Sequence, residues 1–227
     1  MEALAMEQKK PKRRTRERIL ETALRLFNEF GEPNVTTTVI ADEMNISPGN
    51  LYYHFHSKDE IVNDLFSDFE REIDRLLSVP SRRNTDVEDV WLYLHLLFES
   101  IWRYRFLYRD LVDLLTRNRL LEVHVGRILE RKVNTAMQLC EGLVEAQKMQ
   151  ASPAEIDALA NNMAALGTCW LSFSYARNPR RQMESEALSR AVYQIMAMLA
   201  PFLVGDSRAL LERLSAEYIK QQPKEQR

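Results

Sequence analysis

Between Ser47 and Lys58 the chain reads SPGNLYYHFHSK, a run of small, polar and amphipathic residues suited to nucleic-acid contact rather than to bond-making. Asn50 carries an amide that both donates and accepts, as a base edge requires. Tyr52, Tyr53 and His54 offer polar tips on aromatic bodies. Gly49 removes a side chain where a helix would come closest to a duplex. Lys58 places an ammonium in the first turn of the next helix, where N–H groups also attract a phosphate. Upstream, residues 9–16 read KKPKRRTR, with six of eight residues basic and none acidic. In that run Arg13, Arg14 and Arg16 suit contact with phosphates or a minor groove.

Patterns that would serve catalysis or hold a metal are weak. His54 and His56, two apart, fall on different faces of a helix, and His95 and His124 stand alone. Cys140 and Cys169 have no CxxC partner. Asp110 and Asp113 lie beside Arg109 and Arg117 and read as surface ion pairs. The chain contains no glycine-rich phosphate loop and no nucleophile motif. The expectation is a protein that is not an enzyme and needs neither cofactor nor metal.

Local signals say which elements would position the contact residues. Leu51 and Phe55, four apart, turn one face of a short helix inward and leave Asn50, Tyr52, Tyr53 and His54 outward. Ser47 caps that helix and Pro48 is its first residue, where a missing N–H costs nothing. A preceding helix has Val39, Ile40 and Met44 on its apolar face and Thr37 or Thr38 as N-cap, and Asn45 and Ile46 break it. Ser57 and Glu60 form a capping box for the helix that follows. The pattern is a helix-turn-helix, in which one helix braces and the next is offered to a major groove. Ahead of it Ile19, Leu20, Ala23, Leu24, Phe27 and Phe30 make a core stripe that ends at Gly31, with Pro33 preventing continuation.

The stretch SPGNLYYHFHSKDEI, with TTTVIADEMNI before it and RERILETALRLFNEFG upstream, closely resembles the DNA-binding domain of the TetR family of bacterial transcriptional regulators. The resemblance covers about residues 15–64. It implies an N-terminal DNA-binding domain followed by a helical regulatory and dimerisation domain. By the family's pattern Thr36, Tyr53, His54 and Lys58 mainly bind phosphates and set the register, with Thr37 and Ser47 on the same surface. Pro48, Gly49, Asn50 and Tyr52 lie nearest the base edges, Tyr52 against a thymine methyl or a phosphate.

The rest of the chain agrees with that organisation. At 227 residues it suits a small domain plus a larger one, and 45% hydrophobic residues can bury a core. The net charge of −2 is less informative than the basic cluster at one end. No uncharged apolar stretch of about 18 residues occurs, so no membrane span is expected and the expected location is the cytoplasm. The expected organisation is all-α: a basic flexible arm over 1–14, a three-helix helix-turn-helix domain over 15–60, and a helical-bundle regulatory and dimerisation domain over 61–227. A long helix from Ser57 belongs to both domains and would act as the lever between them. Thr85 and Glu88 predict the cap of a helix rich in large apolar groups, and a further helix is predicted from Phe106.

Two groups in the larger domain carry functional expectations. Trp91, Phe98, Trp102, Phe106 and Trp170 either line an apolar pocket for a small hydrophobic effector or form ordinary core. Ile156, Leu159, Met163, Leu166 and Trp170 on one helix, and Leu188, Val192, Ile195, Leu199 and Phe202 on the next, form a/d seams. Such seams pack either within the subunit or across a two-fold axis, and the resemblance favours a homodimer with a four-helix interface. The expected function is sequence-specific repression: a homodimer on a palindromic double-stranded operator, released by a small hydrophobic ligand. The alternative is a DNA-bound interaction protein controlled by a partner protein.

Overall fold

The computed structural model describes residues 10–78, 85–177 and 186–220, with side chains over 14–78, 85–177 and 188–215. Residues 1–9, most of the connection at 78–86, part of the loop at 176–181 and the Arg13 side chain lie outside them. The described residues are mostly helical, joined by short turns and loops, two 3-10 turns and one isolated bridge between Met149 and Leu203. Among them no helix is long and apolar enough to cross a membrane.

Eleven helices follow one another among the described residues: α1 (Lys10–Phe30), α2 (Thr37–Glu43), α3 (Pro48–His54), α4 (Lys58–Leu76), α5 (Val87–Arg103), α6 (Arg105–Arg109), α7 (Leu111–Arg117), α8 (Arg119–Glu145), α9 (Pro153–Arg177), α10 (Glu186–Leu199) and α11 (Asp206–Lys220). Helix α1 starts inside the segment expected to be an arm, because Pro11 is tolerated in a first turn. The core stripe of α1 is Ile19, Ala23, Leu26 and Phe27, all buried. Phe30, expected in that stripe, is 54% exposed, because the helix ends beside it. The end is set by Gly31, whose φ of 91° is open to glycine at little cost. A Cβ there would also meet Arg109 Nη2 at 3.1 Å.

Caps explain most boundaries and shift some of them. Thr36, not Thr37 or Thr38, caps α2: its hydroxyl accepts from the Val39 N–H at 3.3 Å. Three successive threonines compete for that role, and only Thr36 takes extended backbone angles. Val39, predicted on the apolar face, is 42% exposed. At α5 the cap falls on Asp86, whose N–H donates to Asp89 Oδ2 at 3.0 Å, one residue beyond the predicted Thr85–Glu88 box. Ser152 and Glu155 cap α9, the carboxylate accepting from the Ser152 N–H at 2.7 Å.

Two compact units emerge. One joins the chain up to Phe69 to Tyr104–Glu122; the other joins Glu70–Arg103 to the chain from Val123 onward. The expected division at residue 60 followed the chain, whereas α6 and α7 belong with the N-terminal unit. There Phe106 is fully buried, its ring centroid 5.3 Å from that of Phe27, and its N–H donates to Asn28 Oδ1 at 3.1 Å. Arg109 donates to the Phe27 carbonyl at 2.6 Å, an acceptor that also takes the Gly31 N–H at 3.0 Å at the end of α1. The helix expected from Phe106 breaks at Asp110, whose carboxylate accepts the Glu32 N–H at 3.0 Å.

In the second unit α10 packs on both α5 and α9. That layer covers Ile156, Leu159, Met163, Val192, Ile195 and Leu199, each at most 6% exposed within the single chain. These parts of the two seams are therefore intra-subunit core. Phe98, read from sequence as either pocket lining or ordinary core, belongs to the same layer: it is 1% exposed and, with Ile195, lies 3.7 Å from where a Gly167 Cβ would stand.

Candidate nucleic-acid interface

Helix α2 ends at Met44, and Asn45 takes a left-handed φ of 54° that turns the chain back. The Ile46 N–H returns to the Ala41 carbonyl at 3.0 Å. Ser47 then caps α3, its hydroxyl accepting the Asn50 N–H at 3.2 Å, with Pro48 as the first helical residue. Leu51 and Phe55, 2% and 1% exposed, pin this short helix to the core. Ser57 Oγ accepts the Glu60 N–H at 3.2 Å, and Glu60 reaches back to the His56 N–H at 2.8 Å, which starts α4. A seven-residue helix leans heavily on its cap. Ser47→Ala is expected to lower stability by about 1 kcal/mol and to weaken DNA binding in a urea-melt and gel-shift comparison with wild type.

The arrangement leaves an open groove of about 570 Å³ lined by Thr36, Thr37, Pro48, Gly49, Tyr52, His56, Ser57 and Lys58, with Leu51 and Phe55 behind them. Six of the predicted contact residues thus share one concavity. Asn50, Tyr52 and Tyr53 are exposed, the tyrosines at 59% and 63%, far more than a core aromatic would be. Tyr52 lies edge-on to His56 at 5.0 Å and Tyr53 edge-on to His54 at 5.4 Å. Gly49 has an ordinary backbone, and a Cβ there would meet only Ser47 Oγ at 4.0 Å. Nothing among the described residues requires glycine at that position.

The basic residues are placed less simply. Arg14 is exposed. Arg16 forms an ion pair with Asp64, and its guanidinium lies 4.7 Å from the Phe55 ring centroid. Lys58 turns toward Glu32: its ammonium donates to the Glu32 carbonyl at 3.0 Å and stands 3.0 Å from Glu32 Oε1.

Sequence reading missed Glu32 altogether. Its side chain is 0% exposed, and its Oε2 accepts from Arg117 Nη2. Arg117 also meets Asp113 at 3.0 Å and Asp59 at 3.2 Å. Partial burial works against the Arg117 charge, but the hydrogen bond to Asp113 and the fields of Glu32, Asp113 and Asp59 outweigh it and raise its pKa. Glu32 sits between a glycine and a proline, where no periodicity marks a residue as buried. A carboxylate there looks like an ordinary turn residue.

A family model for bacterial regulatory proteins of the TetR type matches residues 19–65. A second, described as a bacterial transcriptional repressor of the TetR type, matches residues 68–211, more than half of the chain. The chain belongs to the TetR family. A TetR-family regulator from Marinobacter aquaeolei VT8 has the same fold, with 33% identity, a TM-score of 0.79, and coverage of 92% of this chain and 99% of that one. A putative transcriptional regulator from Saccharomonospora viridis, solved in complex with choline, shares the fold at 20% identity and a TM-score of 0.63, covering 85% of this chain and 99% of that one. Among curated proteins, the probable acrEF/envCD operon repressor of Escherichia coli strain K12 is 34% identical over 53 residues, 23% of this chain and 24% of that protein. The KstR2 repressor of Mycolicibacterium smegmatis is 37% identical over 54 residues, 24% of this chain and 26% of that protein. The chain thus matches about a quarter of the length of these curated relatives.

Proposed function

We propose that this chain is a homodimeric repressor that holds a palindromic operator through α3 and releases it when a small hydrophobic molecule binds among the helices of the second unit. The outer face of α3 carries the DNA-binding half of this reading. A helical glycine costs about 1 kcal/mol relative to alanine, and no contact among the described residues accounts for Gly49. Close approach to an external surface does. Asn50 beside it reads a base edge, Pro48 and Tyr52 pack along the groove wall, and Thr36, Thr37, Ser47, Tyr53, His54 and Lys58 bind phosphates. Arg13 and Arg14 follow the backbone on one side.

In the dimer the two-fold contact uses what the intra-subunit layer leaves at the surface. Leu166, Trp170, Leu188 and Phe202 are partly exposed, and Phe173, beside Trp170 on α9, is 53% exposed. Two α3 helices then meet successive major grooves about one helical turn apart or somewhat more. For the effector, Trp91, Trp102 and Trp170 are the large side chains not already committed to core. Trp91 Nε1 is buried and makes no hydrogen bond, an open donor for an acceptor on such a molecule. Binding there shifts α4 and changes the separation of the recognition helices, by no more than the ligand's differential affinity for the two states.

The test is capture of genomic fragments on the purified protein at moderate salt, followed by sequencing. One palindromic motif is the expected result, and retention without any motif would overturn the reading. On the recovered motif, Asn50→Ala is expected to reorder preferences among single-base variants by about 1–3 kcal/mol at one position of each half-site. An unchanged ranking would remove Asn50 from base readout.

A further inference from the structure

Glu32 is a buried carboxylate shared by two cations that hold it unequally. Arg117 donates a hydrogen bond to Oε2. Oε1 lies 3.0 Å from Lys58 Nζ as an ion pair without accepting a hydrogen bond, while the ammonium donates one of its protons to the Glu32 carbonyl oxygen at 3.0 Å. Of the two cations, only Lys58 lines the groove beside α3. Its flexible stem and point charge let it change partners, whereas the planar guanidinium of Arg117 is fixed at three edges by Glu32, Asp59 and Asp113.

Taking the DNA-binding reading as its basis, we propose that Arg117 is a positioning residue for phosphate binding: by neutralising Glu32 alone, it frees Lys58 to leave the carboxylate for a DNA phosphate. Without Arg117 the departure of Lys58 would strand a carboxylate that is 0% exposed, an uncompensated buried charge that proteins do not tolerate. With Arg117 in place the carboxylate keeps its hydrogen-bonded cation, and Lys58 gives up only the ion pair to Oε1 and its hydrogen bond to the Glu32 carbonyl. The phosphate contact made beside α3 therefore depends on a residue of α7, a helix outside the helix-turn-helix and absent from the lining of the groove.

The salt dependence of binding to a mixed-sequence duplex tests this, because each phosphate contact contributes about one unit to the slope of log K against log salt. Lys58→Met is expected to lower the slope by about one. Arg117→Met is expected to lower it by about the same amount, with Lys58 detained on Glu32. Glu32→Gln in the Arg117→Met background removes the charge that detains Lys58, and is expected to restore the wild-type slope. A purely structural role for Arg117 would leave the double variant as impaired as the single one, or more so. The double variant carries no buried charge, so it remains informative if Arg117→Met alone melts too low to assay. A wild-type slope in Arg117→Met, or no recovery in the double variant, overturns the proposal. No change in Lys58→Met would instead overturn the assignment of Lys58 to a phosphate, which belongs to the reading beneath it.

Discussion

Phe106→Ala is expected to lower stability by about 3–5 kcal/mol, the usual cost of deleting a fully buried phenyl ring, and to abolish DNA binding near the wild-type melting temperature. The ring is 0% exposed and its centroid lies 5.3 Å from that of Phe27, itself 0% exposed. The loss is not confined to one contact. The Phe106 N–H holds Asn28 Oδ1, and Arg109, one turn on, holds the Phe27 carbonyl. Those bonds join α6 to the end of α1, and α1 supports α2 and hence the orientation of α3. Against a typical domain stability of about 5–15 kcal/mol, such a cost removes a large share of the margin. Urea unfolding with parallel gel shifts measures both effects. A variant losing less than about 1 kcal/mol, with operator binding intact but its response to a hydrophobic effector changed, would move Phe106 from the core to the apolar pocket, the other reading of its sequence context.

Phe106, which its sequence left open between pocket and core, shows where the sequence is legible and where it is not. Periodicity located the helices, because a helix must bury one stripe whatever it packs against. The caps at Ser47 and at Ser57 with Glu60 were readable because a cap is a contact within about four residues. The face of α3 was readable for the same reason: Leu51 and Phe55 inward leave Asn50, Tyr52 and Tyr53 outward. What each stripe faces is set by contacts far apart in the chain. Phe106 looks like Phe98 in sequence, yet one belongs to the layer beneath the helix-turn-helix and the other to the layer of α5, α9 and α10. The seams on α9 and α10 had the spacing of an interface, and most of their residues cover one another within one subunit. Spacing gives a helix a sticky edge without naming its partner. Glu32 is the extreme case. Its function follows from two cations 26 and 85 residues away, and nothing local distinguishes it from a solvated turn residue.

Lys132→Met is expected to stabilise the protein, by roughly 2–4 kcal/mol below neutral pH, and to flatten its stability profile in mildly alkaline solution. Lys132 lies on α8 and is 5% exposed, with its ammonium 3.4 Å from the Thr168 hydroxyl on α9. Burial, only partly opposed by the field of Cys169, lowers its pKa to about 7. In the unfolded chain the same group titrates near about 10.4. Below about pH 7 both states carry the proton, and the folded state bears the full cost of a buried charge. Between the two values the folded state gives up its proton first, so the unfolded state binds more protons and stability rises with pH. Above both values the cost is gone. Methionine matches the stem in length and flexibility, buries no charge and has nothing to titrate. Urea midpoints of wild type and variant at about pH 6 and about pH 10 should therefore differ strongly at the first and converge at the second. A gap of equal size at both would mean that Lys132 acts through packing rather than charge. A variant weaker than wild type at the lower pH would mean that the ammonium is held by interactions worth more than its desolvation costs.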